Sequence, residues 1–365
     1  MTQPLRIGID ARELLGATTG VGRYLGELLT RWTARPDRDQ RRFVLYTPQP
    51  LTVSVPSERA EQRVLPGGRG TWWEQTQLRR AVRSDALDVF FAPAYTAPIA
   101  TPVPLAVTIH DVSFCAHPEW FRAREGFRRR WLTRHTARRA SLVFTDSEFS
   151  RNEIAHRLGV DGSKIAVIVP GITGRAQASS HPGDRERMVL FVGSLFNRRR
   201  LPDLIAAFAL ATTGLPDARL VIVGDDRTYP PQDLEAVAAQ HGVRDRMELK
   251  RYVPDDVLTR LYSRASVFAF LSEYEGFGMT PLEALSAGVP SVVLDTEVAR
   301  EIYGQAAIFV GRGDIAATAG HLRRLLTDRA AAQPVLERAP DVLARYSWDT
   351  AADRTLAHLE RIARR

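Results

Sequence analysis

Two acidic residues in a glycine-containing segment offer the clearest chemistry in this sequence. Glu275 and Glu283 lie in the run Ser272-Glu-Tyr-Glu-Gly-Phe-Gly-Met-Thr-Pro-Leu-Glu-Ala-Leu-Ser-Ala-Gly-Val-Pro290. The order predicts a strand, then a loop with Gly276 and Gly278, then a helix that ends before the last proline. Amides at a helix start bind phosphate oxygens, and carboxylates accept hydrogen bonds from hydroxyl groups. Few ligands need both, so the segment predicts a nucleotide-sugar site.

A structural role would also fit these two acids. Thr280-x-x-Glu283 is a capping box with Pro281 at the first helical position, in which Glu283 would satisfy amides of its own helix. Glu275 could equally be a solvated loop acid. Spacing alone leaves both roles open.

A run of three arginines, Arg198 to Arg200, is a second candidate for ligand binding. It follows a predicted strand that ends at Gly193 and starts a predicted helix from Leu201 to Leu210. A guanidinium can contact two phosphate oxygens at once, and amides at a helix start add to that attraction. The alternative is a charge run that is merely solvated.

His110 is a third candidate, at the end of the predicted strand Leu105–His110. Ligands of open α/β sheets bind at the carboxyl ends of strands. Asp111 could orient the imidazole ring or cap the loop. A lone histidine at a strand end is often only a hydrogen-bonded structural residue.

A glycine-rich loop, Gly16-Ala-Thr-Thr-Gly-Val-Gly22, follows the first predicted strand. Its glycines allow the backbone to approach a ligand closely, as in a nicotinamide-binding dehydrogenase. A short-chain dehydrogenase also needs Tyr-x-x-x-Lys. Neither Lys164 nor Lys250, the only lysines, has a tyrosine four residues before it, so the glycines alone do not support an oxidoreductase.

The segment from Ser272 to Pro290 resembles the E-x7-E signature of the retaining GT-B glycosyltransferases of family 4, approximately E-G-F-G-x-x-x-x-E-A-x-x-x-G-x-P, and contains every element of it. The resemblance implies that Glu275 faces the donor sugar and that Glu283 holds the ribose hydroxyls. It also implies that the backbone of the following residues approaches the sugar and phosphates: Gly276, Phe277, Gly278, Met279 and Thr280.

Other segments are similar to the same family. The resemblance implies that Arg198 and Arg199 hold the leaving diphosphate, although the family commonly has lysine at one of these positions. It implies that His110, in Val107-Thr-Ile-His-Asp-Val-Ser-Phe114, contacts the donor sugar. The remaining expected donor contacts are Ser194, Tyr252 beside the base, and Gly20 and Gly22 near phosphate.

Fewer residues in the sequence indicate an acceptor site. The segment His117-Pro-Glu-Trp-Phe121 places Glu119 and Trp120 as acceptor candidates. The segment Trp72-Trp-Glu-Gln75 is most similar to mannosyl and related transferases of polysaccharide and O-antigen assembly. A mannose donor with a guanine nucleotide is therefore the preferred expectation.

The expected reaction transfers a hexosyl unit to the hydroxyl of a glycan or polyprenol-linked acceptor and retains the anomeric configuration. Amides and guanidiniums aimed at the diphosphate would stabilise its departure. We therefore expect no cofactor and no metal; adjacent Asp225 and Asp226 are weak evidence for a cation site. In such enzymes the diphosphate itself is thought to act as the base, so no enzymic nucleophile is expected.

Alternating strands and helices over 365 residues predict two α/β domains, each a Rossmann-like doubly wound parallel sheet. The resemblance implies the GT-B arrangement, in which the domains face a central cleft. The expected divisions are an acceptor domain over residues 1–172, a linker over 173–187, a donor domain over 188–346, and a C-terminal helix over 347–365 that crosses back to the first domain. The predicted strands are Leu5–Asp10, Arg42–Thr47, Asp88–Ala92, Leu105–His110, Ser141–Thr145, Lys164–Val169, Met188–Gly193, Arg219–Gly224, Met247–Tyr252, Val267–Leu271, Ser291–Leu294 and Ile308–Val310.

Composition favours a cytoplasmic protein, soluble or peripheral on the inner face of the membrane. The single cysteine, Cys115, excludes an intrachain disulfide framework. No signal peptide is visible, and the most apolar long run, Phe90 to Ile109, is broken by four prolines.

The net charge of +8 is almost entirely arginine, and its densest cluster runs from Arg122 to Arg139. A helix there could lie on an anionic membrane surface. Alternatively, Phe127, Trp131 and Leu132 could pack inward against the sheet with the arginines in water.

Two other function classes remain as alternatives. A sugar-nucleotide epimerase of GT-B shape would share the nucleotide site but would isomerise its substrate without an acceptor. A nucleic-acid-binding protein could use the basic surface, but no recognised module is visible and no nucleic acid is expected as a partner.

Overall fold

The computed structural model describes residues 3–16, 20–37, 40–51, 60–174 and 185–364. The chain divides into two compact units. Unit 1 contains Met1–Ala116, Ala123–Gly171 and Ser347–Arg365, and unit 2 contains His117–Arg122 and Ile172–Tyr346. Residues 17–19 of the glycine loop and most of the predicted linker lie outside the described residues.

Unit 1 is built on a seven-stranded parallel sheet in the order β3-β2-β1-β4-β5-β6-β7. Its strands are β1 Leu5–Asp10, β2 Arg41–Thr47, β3 Ala60–Val64, β4 Val89–Ala92, β5 Leu105–Thr108, β6 Leu142–Thr145 and β7 Ile165–Val167. Its helices before the linker are α1 Val21–Ala34, α2 Thr71–Trp73, α3 Arg79–Ser84, α4 Ser113–Ala116, α5 Ala123–Arg139 and α6 Glu148–Ile154, and five-residue π-helical turns extend α2 and α6.

Unit 2 has a six-stranded parallel sheet in the order β10-β9-β8-β11-β12-β13. Its strands are β8 Glu186–Val192, β9 Arg219–Val223, β10 Met247–Lys250, β11 Ala265–Phe270, β12 Ser291–Leu294 and β13 Ile308–Val310. Its helices are α7 Leu201–Ala211, α8 Leu234–Gln240, α9 Asp255–Arg264, α10 Met279–Ser286, α11 Glu297–Tyr303, α12 Ile315–Thr327, α13 Gln333–Leu336 and α14 Ala339–Leu343.

The prediction of two doubly wound parallel sheets is confirmed. Strands buried on both faces have continuous apolar sequences, as in β4, where Val-Phe-Phe-Ala is fully buried. Two details differ from the prediction. The edge strand β3 (Ala-Glu-Gln-Arg-Val) is too polar to predict, and β5 ends at Thr108, so His110 lies in the following loop.

Each sheet reverses its strand order at one point, between β1 and β4 and between β8 and β11. In open α/β sheets such a switch point leaves a crevice at the carboxyl ends of the two strands, because their following loops diverge to opposite faces. In unit 2, the arginine run follows β8 and the Glu275 loop follows β11. The topology therefore brings these two segments to the same edge of the sheet.

The final helix, α15 (Trp348–Ala363), packs in unit 1. The indole of Trp32 on α1 donates to the carbonyl of Ala352 at 2.9 Å, and the Trp348 side chain is buried. Among the described residues, no helix is both long and apolar enough to cross a bilayer.

Helix α5 differs from the inward-packing alternative. Of the three apolar residues expected to face the sheet, only Leu132 is buried, whereas Phe127 is 66% and Trp131 51% exposed. Phe127 and Leu132 are five positions apart in sequence, which places them about 140° apart around the helix. The buried face is instead formed mostly by small residues such as Gly126 and Ala137.

Candidate active site

Arg198, Arg199 and Glu275 converge at the carboxyl edge of the unit 2 sheet. Arg198 Nε lies 3.7 Å from Glu275 Oε1, and Arg199 forms an ion pair with the same oxygen. All three side chains are largely buried. The two predicted halves of the site, 77 positions apart in sequence at Arg198 and Glu275 (275 − 198), are thus brought together by the β8–β11 switch point.

Neighbouring groups hold these side chains in place. The Ser272 hydroxyl donates to Glu275 Oε1 at 2.5 Å. The guanidinium of Arg199 lies 4.4 Å from the ring centroid of Phe270, and that of Arg198 lies 4.5 Å from the ring centroid of Phe196. Planar guanidiniums stacked on aromatic rings lose less entropy when they bind an anion.

Helix α10 begins two residues earlier than the capping box requires. Its N-cap is Gly278, which has a φ of +92° that glycine adopts without strain, and Met279 is the first helical residue. Thr280 therefore lies inside the helix and cannot be the cap, so the capping-box alternative is wrong. The Tyr303 hydroxyl on α11 donates to the Gly278 carbonyl at 2.9 Å.

Glu283 lies on α10 with its side chain buried, 3% of the residue being exposed. The Tyr262 hydroxyl donates to Glu283 Oε2 at 3.4 Å. Because Gly278 rather than Thr280 caps α10, Glu283 is not part of a capping box. Binding of ribose hydroxyls by its carboxylate stays a prediction.

The electrostatics of the site favour an anion. Two guanidiniums, of Arg198 and Arg199, face the single carboxylate of Glu275, beside the amides at the start of α10. Arg198 Nε and Thr280 Oγ1 are also buried, and no other described residue offers either atom a hydrogen bond. Buried polar atoms of this kind are costly unless a ligand or water satisfies them.

The other residues predicted to contact the donor range from buried to exposed. Phe277 is buried, with its ring edge-on to Tyr346 at a centroid distance of 5.2 Å, so it supports the loop from within unit 2. Tyr252, after β10, is 67% exposed. Ser194 follows β8 and is half-buried, and Gly276 and Met279 flank the N-cap.

His110 belongs to unit 1, and both ring nitrogens have partners there. Nε2 donates to the carbonyl of Pro93 at 3.1 Å, and Nδ1 lies 2.7 Å from Asp146 Oδ2. Burial opposes protonation, but the charge and hydrogen bond of Asp146, the hydrogen bond to the Pro93 carbonyl and the charge of Asp111 together outweigh it and raise the pKa of His110. Asp111 instead accepts from Tyr95 and from the amide of Ser113, so of its two possible roles these hydrogen bonds favour the loop cap.

The described part of the glycine loop in unit 1 uses positive φ angles at Gly16 and Gly20. Gly20 is the N-cap of α1 with a φ of +43°, and Gly22 is buried in the first helical turn. Roles for Gly20, Gly22 and His110 toward a donor stay predictions.

The acceptor candidates Glu119 and Trp120 group with unit 2. The Trp120 ring stacks on His117 at a centroid distance of 3.9 Å, and His117 in turn meets the ring of Tyr274 edge-on at 5.6 Å. His117 Nδ1 lies 3.1 Å from Glu119 Oε1. Since Tyr274 precedes Glu275, His117 connects both candidates to the loop that carries Glu275, a placement that the sequence did not predict.

Two family patterns match successive parts of the chain: Glycosyltransferase Family 4 over residues 18–173 and Glycosyl transferases group 1 over residues 175–341. The chain is a family 4 glycosyltransferase. The family expected from the E-x7-E segment is therefore confirmed.

Relatives of this glycosyltransferase include O-antigen chain mannosyltransferases. It is 26% identical to O-antigen chain mannosyltransferase B of Escherichia coli over 68% of each chain. It is 35% identical to an uncharacterized glycosyltransferase of Methanocaldococcus jannaschii over 59% of this chain and 58% of the relative. A GDP-mannose:cellobiosyl-diphosphopolyprenol alpha-mannosyltransferase of Xanthomonas oryzae is 27% identical over 53% of this chain and 50% of its own. These matches span from half to about two thirds of the relatives' lengths.

Solved structures confirm the GT-B fold. WaaG, a glycosyltransferase involved in lipopolysaccharide biosynthesis, superimposes with a TM-score of 0.77 at 17% identity over 97% of this chain and 99% of its own. The Anabaena protein HepE, solved in complex with UDP and glucose, gives a TM-score of 0.73 at 18% identity over 97% of this chain and 99% of its own. At such identities the likeness extends to the fold only.

Proposed function

We propose that this glycosyltransferase moves a hexosyl unit, mannose before other sugars, from a nucleoside diphosphate sugar to a hydroxyl of a glycan or polyprenol-linked acceptor with retention of configuration. The observation that carries the proposal is the convergence of Arg198 and Arg199 with Glu275 beside the start of α10. The relatives named as mannosyltransferases, one of them with GDP-mannose in its name, support mannose with a guanine nucleotide.

The reaction breaks the bond between the anomeric carbon and the diphosphate and forms a bond to the acceptor oxygen. The acceptor proton passes to the departing diphosphate, so the enzyme needs no nucleophile of its own. Arg198, Arg199 and the α10 amides would stabilise the developing negative charge, at about 3 kcal/mol for each well-placed donor. Glu275 would face the sugar as positive charge develops on it. Under this proposal no divalent cation is required, and EDTA leaves the activity unchanged.

The test is a panel of GDP-, UDP- and ADP-sugars assayed for diphosphate release with and without glycan or polyprenol-linked acceptors. We expect GDP-mannose to be the preferred donor and the product anomer, read by NMR, to keep the donor's configuration. Arg199→Gln and Glu275→Gln should each lower turnover by about a hundredfold, because each removes one preorganised charge.

Arg187→Gln is the matched control, because Arg187 is an exposed arginine of the same unit that pairs with Asp217 at 2.7 Å. It should retain full turnover. Isomerisation of the donor without diphosphate release would instead identify an epimerase. Full activity of both site variants would refute the assigned site.

We also propose that α5 attaches the enzyme to anionic membrane. The exposed Phe127 and Trp131 lie one turn apart on a face that also carries the exposed residues Arg124, Arg128 and Arg138. Aromatic side chains at the headgroup level combined with arginines near anionic lipid are the features of interfacial helices.

Flotation with liposomes tests this attachment. The protein should float with vesicles that contain phosphatidylglycerol and not with pure phosphatidylcholine. Phe127→Ser with Trp131→Ser should abolish flotation, whereas Leu210→Ser, which removes a 53% exposed apolar residue elsewhere, should not. Equal flotation of all three proteins would exclude α5 as the attachment site.

A further inference from the structure

The three consecutive arginines of unit 2 separate into two groups. Arg198 and Arg199 face Glu275, whereas Arg200 points to other acids: its Nε donates to Asp203 at 2.6 Å, and it forms an ion pair with Glu273. Arg200 adopts the left-handed conformation, with φ of 50° and ψ of 42°. For a residue other than glycine this conformation costs about 1 kcal/mol or more, so surrounding contacts must hold it.

Glu273 joins the two loops that carry the site. Its amide donates to the carbonyl of Arg198 at 2.9 Å, and its carboxylate pairs with Arg200 and, at 3.2 Å, with Arg312. The Glu273 side chain is only 12% exposed, so these pairs are weakly screened by water. One residue of the loop after β11 therefore holds both the backbone and a side chain of the arginine turn after β8.

The geometry points to Glu273 as a positioning residue for the diphosphate of the donor, an inference that rests on the proposed function. Glu273 lies two residues before Glu275, and Arg200 follows Arg199 directly. The Glu273–Arg200 pair thus sets the spacing between the guanidiniums of Arg198 and Arg199 and the carboxylate of Glu275. Guanidiniums held at a fixed spacing bind an anion without reorganisation, and a looser turn would lose that advantage.

Glu273→Gln tests the inference. The substitution keeps the backbone amide that donates to Arg198 and the shape of the side chain, but it removes the negative charge. We expect it to weaken binding of GDP and UDP, measured by calorimetry, by roughly tenfold, as is typical for coupled neighbours. Asp203→Asn is the matched control. It removes the other partner of Arg200 but leaves the two loops joined, so it should lower the melting temperature without changing nucleotide affinity.

A double-mutant cycle separates this role from a general loss of stability. Because Glu273 acts through Arg200, the Arg200→Asn, Glu273→Gln double variant should bind GDP no more weakly than Glu273→Gln alone. Wild-type affinity in Glu273→Gln, an equal loss in Asp203→Asn, or additive losses in the double variant would each overturn the inference. Failure of the wild-type protein to bind any nucleoside diphosphate would instead refute the proposed function.

Discussion

At the carboxyl end of β1, two buried carboxylates share one guanidinium. Arg12 Nη2 lies 2.8 Å from Asp10 and also pairs with Glu74, which accepts from the Thr96 hydroxyl at 2.7 Å. Burial raises the pKa of Asp10 to about 6, although Arg12 opposes the shift. This cluster was not predicted from the sequence. Its members come from separate segments, and only Glu74, in Trp72–Gln75, lies in a stretch that attracted notice.

Asp10 predicts a pH dependence of stability. With the folded pKa raised from 3.8 to about 6, the unfolded chain releases its proton first, so the free energy of unfolding falls as pH rises through this interval. The shift of about two units corresponds to about 3 kcal/mol. Asp10→Asn should remove this slope between about pH 4 and about pH 7.

Urea denaturation followed by tryptophan fluorescence is a suitable measurement. Five of the six tryptophans lie in unit 1, all except Trp120. Parallel pH profiles for the wild-type protein and Asp10→Asn would contradict the assignment.

At the scale of elements, α11 supports the loop with Gly276 and Gly278 that leads into α10. A Cβ on Gly278 would lie 2.2 Å from the Tyr303 hydroxyl, so the ring closes over the loop with no room for a side chain. Burial raises the pKa of Tyr303 well above its usual value, so the hydroxyl stays protonated as a donor to the Gly278 carbonyl.

Tyr303→Phe should weaken GDP binding by roughly fivefold, the equivalent of one hydrogen bond of about 1 kcal/mol. Tyr346→Phe is the control, because the Tyr346 hydroxyl also donates to a backbone carbonyl in unit 2, that of Ile302 at 2.6 Å. Both variants should lose similar stability, and only Tyr303→Phe should lose affinity in calorimetry. Equal affinities would show that the loop does not need this bond.

A strand or helix could be predicted from the sequence where its own residues determine its conformation and its buried face. The alternation of strand and helix patterns along the sequence predicted all the strands except β3, which pairs with β2 at the sheet edge and needs little apolar sequence there. The capping-box alternative placed the start of α10 two residues too late, because Gly278 caps the helix by backbone conformation, without a side chain. The face of α5 was misjudged because small residues supply its buried contacts.

At the scale of the whole molecule, the chain leaves unit 1 and returns to it. Helix α15 packs in unit 1 on α1, and a Cβ on Gly171 would lie 2.2 Å from the Trp348 amide nitrogen. The close passage of residue 171 beside the start of α15 leaves space only for glycine. The sequence indicated the helix, whereas this contact between distant segments was not visible in it.

The sequence by itself determined the alternation of strands and helices, the family, and the identities of the charged residues at the unit 2 site. These follow from local patterns, since apolar periodicity and glycine placement act over a few residues. The tertiary structure decided which charges meet. Strand order placed the β8 and β11 loops side by side, Glu273 joined them, and Asp146 rather than Asp111 came to orient His110. Such pairings depend on contacts between residues far apart in the chain, which no local pattern encodes.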